Sequence, residues 1–342
     1  MLKIVQTLAM DGARVAPADY LSAFAARNVT PDFRVVHCTS EDELIAACAD
    51  ADIVFGQCSV QRFSRRVLTS LRACRMIVSM GIGFENLDRE AATEAGILVA
   101  NVPDFCLEEV ADHTLALILA CTRRVVALHG AARDGGGSDA IRRLREHHWP
   151  RMSRLRGRTL GLVGFGAIAR AVVPRAAGFG LNVIACDPYV DADAMALAGV
   201  RAVSQDELLA GADIVSLHAP LNEGNRHLLG AAAFARMKPG AIVINTGRGG
   251  LIDHAALSLA LRGGTVAAAG LDVTEPEPLP PEHELWRMDQ VVITPHSAGI
   301  SPEAMSALVQ RPWQETLRLL DGDWPAGWIN PGAKAAYRAR WR

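Results

Sequence analysis

The 342 residues carry 35 Lys and Arg against 37 Asp and Glu, a formal charge of −2, with 50% hydrophobic and 21% charged residues. That balance supplies no basic field for nucleic acid or an anionic membrane and lacks the polarity of a disordered chain, so the expected partner is a small molecule. The length exceeds one ordinary core and predicts two domains, or one interrupted by another, with room for a cleft.

The chain opens on MLKIVQTLAM, read as a first strand because it lacks the basic region, long apolar run and small-residue cleavage site of an export signal. No apolar run reaches the roughly 18 residues of a membrane span. Seven cysteines, scattered without CxxC pairs on mostly apolar segments, fit buried reduced thiols and a cytoplasmic protein. Short apolar runs continue through ADIVFGQ, RMIVSM, RTLGLVGF, LNVIACD, ADIVSLH, AIVINT, GLDV and VVITP. Between them lie EEVADHTLALILACTRRVVALH, AIARAVVPRAAGFG, HAALSLALRGG and PEAMSALVQRPWQETLRLL, whose apolar residues return every three or four positions. Apolar strands alternating with amphipathic helices predict an α/β chain of two Rossmann-like or flavodoxin-like lobes with parallel sheets.

A break is expected at Asn101-Val102-Pro103-Asp104, where a strand ends at a proline and a long helix follows. The last helix, from about Ser301, has no strand after it and is expected to pack back on the first lobe. The expected division is 1–103 with 300–342, and 104–299. Residues 131–158, AARDGGGSDAIRRLREHHWPRMSRLRGR, interrupt the rhythm with a glycine run and six arginines between Arg142 and Arg156. With Trp149 as its lone aromatic, this segment reads as a solvated or subunit-contacting arm rather than a nucleic-acid patch.

At Leu160-Gly161-Leu162-Val163-Gly164-Phe165-Gly166-Ala167-Ile168-Ala169 a strand runs through G-x-G-x-x-A into a helix. Gly164 permits the tight turn, Gly166 admits a pyrophosphate to the backbone, and Ala169 allows close helix packing. The phosphates would sit on the amides of Ala167 and Ile168 at the helix N-terminus. The next strand, LNVIACD, ends in Asp187, and 187 − 166 = 21 places a carboxylate where ribose hydroxyls are held. Asp187 repels a 2′-phosphate and the following Pro188-Tyr189 brings no arginine, so NAD is expected over NADP.

Three later segments present polar groups just past apolar strands, where open α/β sheets place their ligands. AIVINTGRGG ends in Arg248, GLDVTEPEP carries Asp272 and Glu277, and VVITPHSAG presents His296. Taken singly, each is as readily a surface ion pair, an exposed loop glutamate or a capping histidine. Their order behind the glycine turn makes them a set. No HExxH or similar spacing appears, so no metal is expected.

These blocks, with SMGIGFENLDREAATEAGILVANVPDFCLEEVADHTLALIL and MKPGAIVINTGRGGLID, resemble the D-isomer-specific 2-hydroxyacid dehydrogenase family. The likeness is greatest to its C-terminal-binding-protein-like and phosphoglycerate-dehydrogenase-like branch. The resemblance implies an NAD-dependent 2-keto acid reductase with Arg248, Glu277 and His296 as the catalytic set. Arg248 would hold the substrate carboxylate and C2 oxygen, and His296 would give the C2 alkoxide its proton while Glu277 holds its other nitrogen. Met80, Gly81, Ile82 and Gly83 match a loop that meets the substrate, with Gln57-Cys58-Ser59 expected near its tail. Asp272 matches the residue at the nicotinamide amide, while His218, Pro220, Thr246 and Gly247 line the cofactor. The resemblance further implies that 1–103 with 300–342 binds substrate, that 104–299 binds NAD, and that the protein is a homodimer. It leaves glyoxylate, hydroxypyruvate and 3-phosphoglycerate open as substrates.

Two departures stand out: Ala169 replaces the third fingerprint glycine, and Asp112 replaces a common glutamate. An NAD(H)-sensing, corepressor-like binding protein is the competing reading. Such members often carry a tryptophan after the histidine block, where this chain has Ser297-Ala298-Gly299-Ile300. Formate dehydrogenases share the arginine and histidine but carry glutamine at the position of Glu277, so Glu277 favours a hydroxy acid.

Overall fold

A computed structural model describes residues 1–9, 20–133, 142, 145, 146 and 148–341. Residues 134–141, 143, 144 and 147, which include the glycine run of the expected arm, lie outside the described residues. The chain divides into two compact units, Met1–Phe105 with Ser301–Arg342, and Cys106–Ile300.

In the first unit, β1 (Leu2–Leu8), β2 (Pro31–His37), β3 (Ile53–Gly56), β4 (Met76–Ser79) and β5 (Leu98–Ala100) form a parallel sheet in the order β2-β1-β3-β4-β5. That order is flavodoxin-like. Helices cover both faces, so side chains of both parities are apolar: Ile4, Phe55 and Val78 join one core, Val5, Val54 and Ile77 the other. Two strands escape the apolar-run reading. β2 is an edge strand whose residues are half-buried or exposed, and β5 is three residues long.

The helix Pro302–Leu320 returns to this sheet. Its Trp313 is fully buried, edge-on to Phe24, Phe33 and Phe55 with ring centroids 5.8, 5.1 and 5.1 Å away. Further along, Asn330 is buried and ties the returning chain to β5, its Oδ1 accepting from Val99 N and its Nδ2 donating to Ile97 O. These bonds give the C-terminal segment its place in a domain that begins some three hundred residues earlier.

The second unit holds β6 (Thr159–Val163), β7 (Asn182–Cys186), β8 (Arg201–Ala202), β9 (Ile214–Leu217), β10 (Ala241–Asn245), β11 (Val266–Leu271) and β12 (Val291–Ile293). They form one parallel sheet in the order β12-β11-β10-β9-β6-β7-β8. The chain leaves β6 in one direction and resumes at β9 on its other side, so the switch point lies between those strands. Sheets of this kind take ligands at such a point, beyond the carboxyl ends of the strands.

The stretch read as one helix from Glu108 is two, Leu107–Arg123 and Val125–Arg133, bent by 62°. The break is Arg124, in the left-handed region at φ 55° and buried, its Nε donating to His148 Nδ1 at 3.0 Å. Among the described residues no single helix is long and apolar enough to cross a membrane. The first helix packs Ala111, Leu115 and Ile118 into the core beside Ala169 and Val172. Asp112 shares Arg175 with Glu108, which joins this helix to Ala167–Gly178. All seven cysteines are unpaired and six are buried.

Trp313→Ala is expected to cost about 3–5 kcal/mol by emptying the aromatic centre of the first unit. Trp313→Phe keeps a ring and discards an indole N–H that has no acceptor among the described residues, so it should cost much less; urea unfolding measures both.

Candidate active site

The glycine turn sits at the end of β6. Gly164 has φ +89°, and a Cβ there would stand 2.8 Å from the carbonyl of His218, so no side chain is tolerated. Gly166 caps the helix Ala167–Gly178, and a Cβ there would meet nothing within 4 Å. Its own fold does not demand that glycine; an approaching pyrophosphate does. Ala169 is fully buried in the core, which accounts for a small residue at the third position.

Asp187 follows β7 and is braced toward this turn. Its Oδ2 accepts from Phe165 N at 2.8 Å and its Oδ1 from Tyr189 N at 2.9 Å. Each oxygen keeps a lone pair for a ribose hydroxyl. These features fit a dinucleotide: a backbone cradle open to solvent, a helix N-terminus behind it and an acid fixed beside it.

His218 and Pro220 follow β9. The His218 backbone packs on Gly164, and its Nε2 lies 2.9 Å from Ser216 Oγ. Burial pushes its pKa down to about 4, so it is neutral at physiological pH. Pro220 is exposed, its carbonyl accepting from Asn225 Nδ2 at 2.6 Å.

Arg248 lies on the turn after β10, and that turn is clamped by a residue the motif reading passed over. Asn245, fully buried, accepts from Gly247 N at 3.0 Å and donates to Arg248 O at 2.9 Å. An asparagine ending an apolar strand just before T-G-R-G was the available signal. Gly249 seats this turn on the Glu277 loop: a Cβ there would lie 2.0 Å from Thr274 O, which no side chain survives.

Asp272 ends β11 and is 2% exposed. Its Oδ1 accepts from Thr294 Oγ1 at 2.6 Å and Ser297 N at 2.9 Å, its Oδ2 from Ala298 N at 2.9 Å, and its backbone oxygen from His296 N at 2.8 Å. The carboxylate therefore holds the turn that carries His296, a task that nothing in the residue pattern suggests. His296 itself sits at φ +51°, a left-handed conformation uncommon for residues other than glycine.

His296 Nδ1 and Glu277 Oε1 are 2.6 Å apart, both side chains about half exposed. An ionised carboxylate can only accept, so Nδ1 carries hydrogen and Nε2 is the nitrogen left for substrate. The pKa of His296 is raised, above all by this bond, with burial and Arg248 opposing and the charges of Glu277 and Asp272 assisting. The second unit thus brings together a guanidinium, a carboxylate and a poised imidazole at one sheet edge.

In the first unit, Met80, Gly81, Ile82 and Gly83 follow β4. The carbonyls of Gly81, Ile82 and Gly83 turn inward, accepting from Val102 N at 3.1 Å, Asn101 Nδ2 at 2.8 Å and Ser79 Oγ at 2.8 Å. Among the described residues the amides of Ile82 and Gly83 donate to no protein acceptor, a pair suited to an anion. Met80 Sδ accepts from Gln6 Nε2 at 3.2 Å. Of Gln57-Cys58-Ser59, Cys58 is fully buried and its side chain cannot meet a ligand, while Gln57 is half-buried with its side-chain oxygen accepting from Ala9 N at 2.7 Å and Ser59 is exposed.

Known proteins give this arrangement its context. Residues 115–298 match the profile of the D-isomer specific 2-hydroxyacid dehydrogenase NAD binding domain. The chain is 39% identical over 287 residues to D-3-phosphoglycerate dehydrogenase of Mycobacterium tuberculosis, covering 83% of this chain and 52% of that protein. It therefore spans about half the length of the curated phosphoglycerate dehydrogenases it matches. It is 38% identical to glyoxylate reductase of Korarchaeum cryptofilum, covering 75% of this chain and 76% of that one. Among solved structures, the holo form of Rhodotorula graminis D-mandelate dehydrogenase superposes with a TM-score of 0.84 at 28% identity, covering 96% and 98% of the two chains. The chain belongs to the D-isomer specific 2-hydroxyacid dehydrogenase family, and its second unit is that family's NAD-binding domain.

Proposed function

We propose that the chain interconverts a small 2-keto acid and its D-2-hydroxy acid with NAD as redox partner; the observation that carries this is the 2.6 Å bond between His296 Nδ1 and Glu277 Oε1 beside the Arg248 turn. NADH, held at Gly164, Gly166, Ala167, Ile168 and Asp187, would supply the hydride for substrate C2. Arg248 takes the substrate carboxylate and C2 oxygen, because a planar guanidinium bridges two acceptors and fixes the carbonyl in place. In the first unit, the Ile82 and Gly83 amides are a donor pair suited to the same class of anion. His296 Nε2 gives its proton to the developing alkoxide and recovers it in the oxidative direction. Glu277 keeps the imidazolium populated and the Nδ1 tautomer fixed, a requirement of hydroxy-acid chemistry that formate oxidation does not share.

The relatives' names support glyoxylate and 3-phosphoglycerate as substrate candidates, with hydroxypyruvate between them in size. A homodimer is part of the same reading: the helix Val125–Arg133 buries none of its residues, and Val125 and Val126 are 55% and 54% exposed. Buried, unpaired cysteines support a cytoplasmic setting.

The direct test is NADH oxidation with glyoxylate, hydroxypyruvate and pyruvate, and NAD reduction with 3-phosphoglycerate and formate. Turnover with a keto acid is expected; NADH binding without turnover on any acid would mark a sensor, and a dominant formate rate would overturn the proton relay. Reduction needs protonated His296, whose pKa is raised, so kcat/KM for the keto acid should fall as pH rises through a value above 6.5, while oxidation rises over the same interval. Glu277→Gln removes the main cause of that elevation and should move the alkaline limb to lower pH. Asp187→Ala should weaken NADH binding by about 10- to 100-fold, the equivalent of one charged hydrogen-bonding partner, and penalise NADPH far less, as measured by fluorescence titration.

A further inference from the structure

Two consecutive residues of the helix Leu107–Arg123 reach the two strand ends that carry the reactive side chains. Thr114 Oγ1 lies 3.0 Å from Thr246 Oγ1, two residues before Arg248. His113 Nε2 lies 2.9 Å from Thr294 Oγ1, two residues before His296. These contacts fall on β10 and β12, the two neighbours of β11, from whose end Asp272 projects between them.

Hydrogen counting fixes the direction of the bonds. The single hydroxyl proton of Thr294 goes to Asp272 Oδ1 at 2.6 Å, so Thr294 Oγ1 must accept from His113, whose Nε2 therefore bears hydrogen. Thr114 likewise donates to Val110 O at 2.8 Å, which leaves its oxygen to accept from Thr246. A continuous chain results, from His113 through Thr294 to the Asp272 carboxylate, and from that carboxylate to the amides of Ser297 and Ala298, just past His296 in the same turn.

We propose that His113 is a positioning residue: by donating to Thr294 it holds Asp272 in the one orientation that keeps the left-handed His296 turn and its bond to Glu277 in place. The inference rests on the proposed role of His296 but concerns a different residue on a different element. The physical need is plain. Asp272 is buried and must be fully satisfied, and a hydroxyl deprived of its donor can rotate away from the carboxylate, freeing the turn to relax from φ +51° toward the ordinary region. The neighbouring Thr114–Thr246 bond gives the same helix a hold on the Arg248 strand, so the two strand ends share one template. His296 then answers to Glu277 and Asp272, which favour its charged form, and to Arg248, which opposes it.

The test uses the full chain with His113→Leu, which removes the donor, and His113→Gln, whose side-chain amide places a donor where Nε2 stands. Titration of the His296 imidazole is followed by NMR without substrate, assigned by comparison with His296→Gln. In the Leu variant the midpoint should drop by about half a pH unit or more toward the ordinary histidine value, and kcat for keto-acid reduction should fall by about 10- to 100-fold. The Gln variant should restore both. An identical His296 titration in all three proteins, or a Gln variant no better than Leu, would overturn the proposal. If the wild-type protein turns over no acid, the functional reading fails by itself, because the substrate-free titration still decides whether His113 sets the turn. Should the Leu variant prove unstable, His113→Phe, which keeps a ring but no donor, takes its place: a midpoint lowered in Phe and restored in Gln supports the inference, and one unchanged in Phe sinks it.

Discussion

A carboxylate sealed inside an apolar core is tolerated only when its oxygens are satisfied, and Asp272 meets that condition by gathering the turn from Thr294 to Ala298 around itself. The rest of the catalytic edge follows from that gathering. His296 occupies a backbone conformation worth about 1–3 kcal/mol of strain, and the three donors to Asp272 hold it there. Glu277 can then meet Nδ1, and Nε2 is left as the nitrogen free to exchange a proton. One buried charge thus fixes the tautomer, the direction and the partner of an exposed imidazole.

The same edge depends on a place where nothing can be added. Gly249 lies against Thr274 so closely that no side chain fits between the Arg248 turn and the Glu277 loop. The two backbone segments are thereby packed together although they arise from different strands. Arg226 ties the same loop from another side, bridging to Glu275 at 2.9 Å, two residues before Glu277. Rigid elements hold reacting groups better than loops do, and here the loops are made rigid by glycine contact and buried amides.

Much of this was legible in the sequence, for physical reasons that also explain what was not. Parallel strands covered on both faces are apolar on both faces, so the interiors of β4, β6 and β10 stand out as unbroken runs, with β9 interrupted only by Ser216. β2, half-exposed at an edge, and β5 and β8, of three and two residues, carry no such pattern. The long helix reads as continuous because Arg124 is an ordinary helix former; its left-handed turn depends on His148, twenty-four residues on. Gly164, Gly166 and Asp187 are recognisable because a dinucleotide demands them at set spacing. Asn245 and Thr294 are not, because their work is done on neighbours distant in sequence or on the backbone of their own turn. Cys58 reads both as a buried thiol and as part of a loop near the substrate, and its side chain is turned wholly into the core.

Two histidines at this sheet edge show how completely surroundings override residue type. His218 follows β9 and His296 follows β12, each just past an apolar strand. Burial without an opposing charge drives His218 down to about 4, so it is neutral at physiological pH. His296 faces a carboxylate at 2.6 Å and is driven the other way. The carboxylate beside one ring, and its absence beside the other, is what drives two imidazoles in like positions in opposite directions.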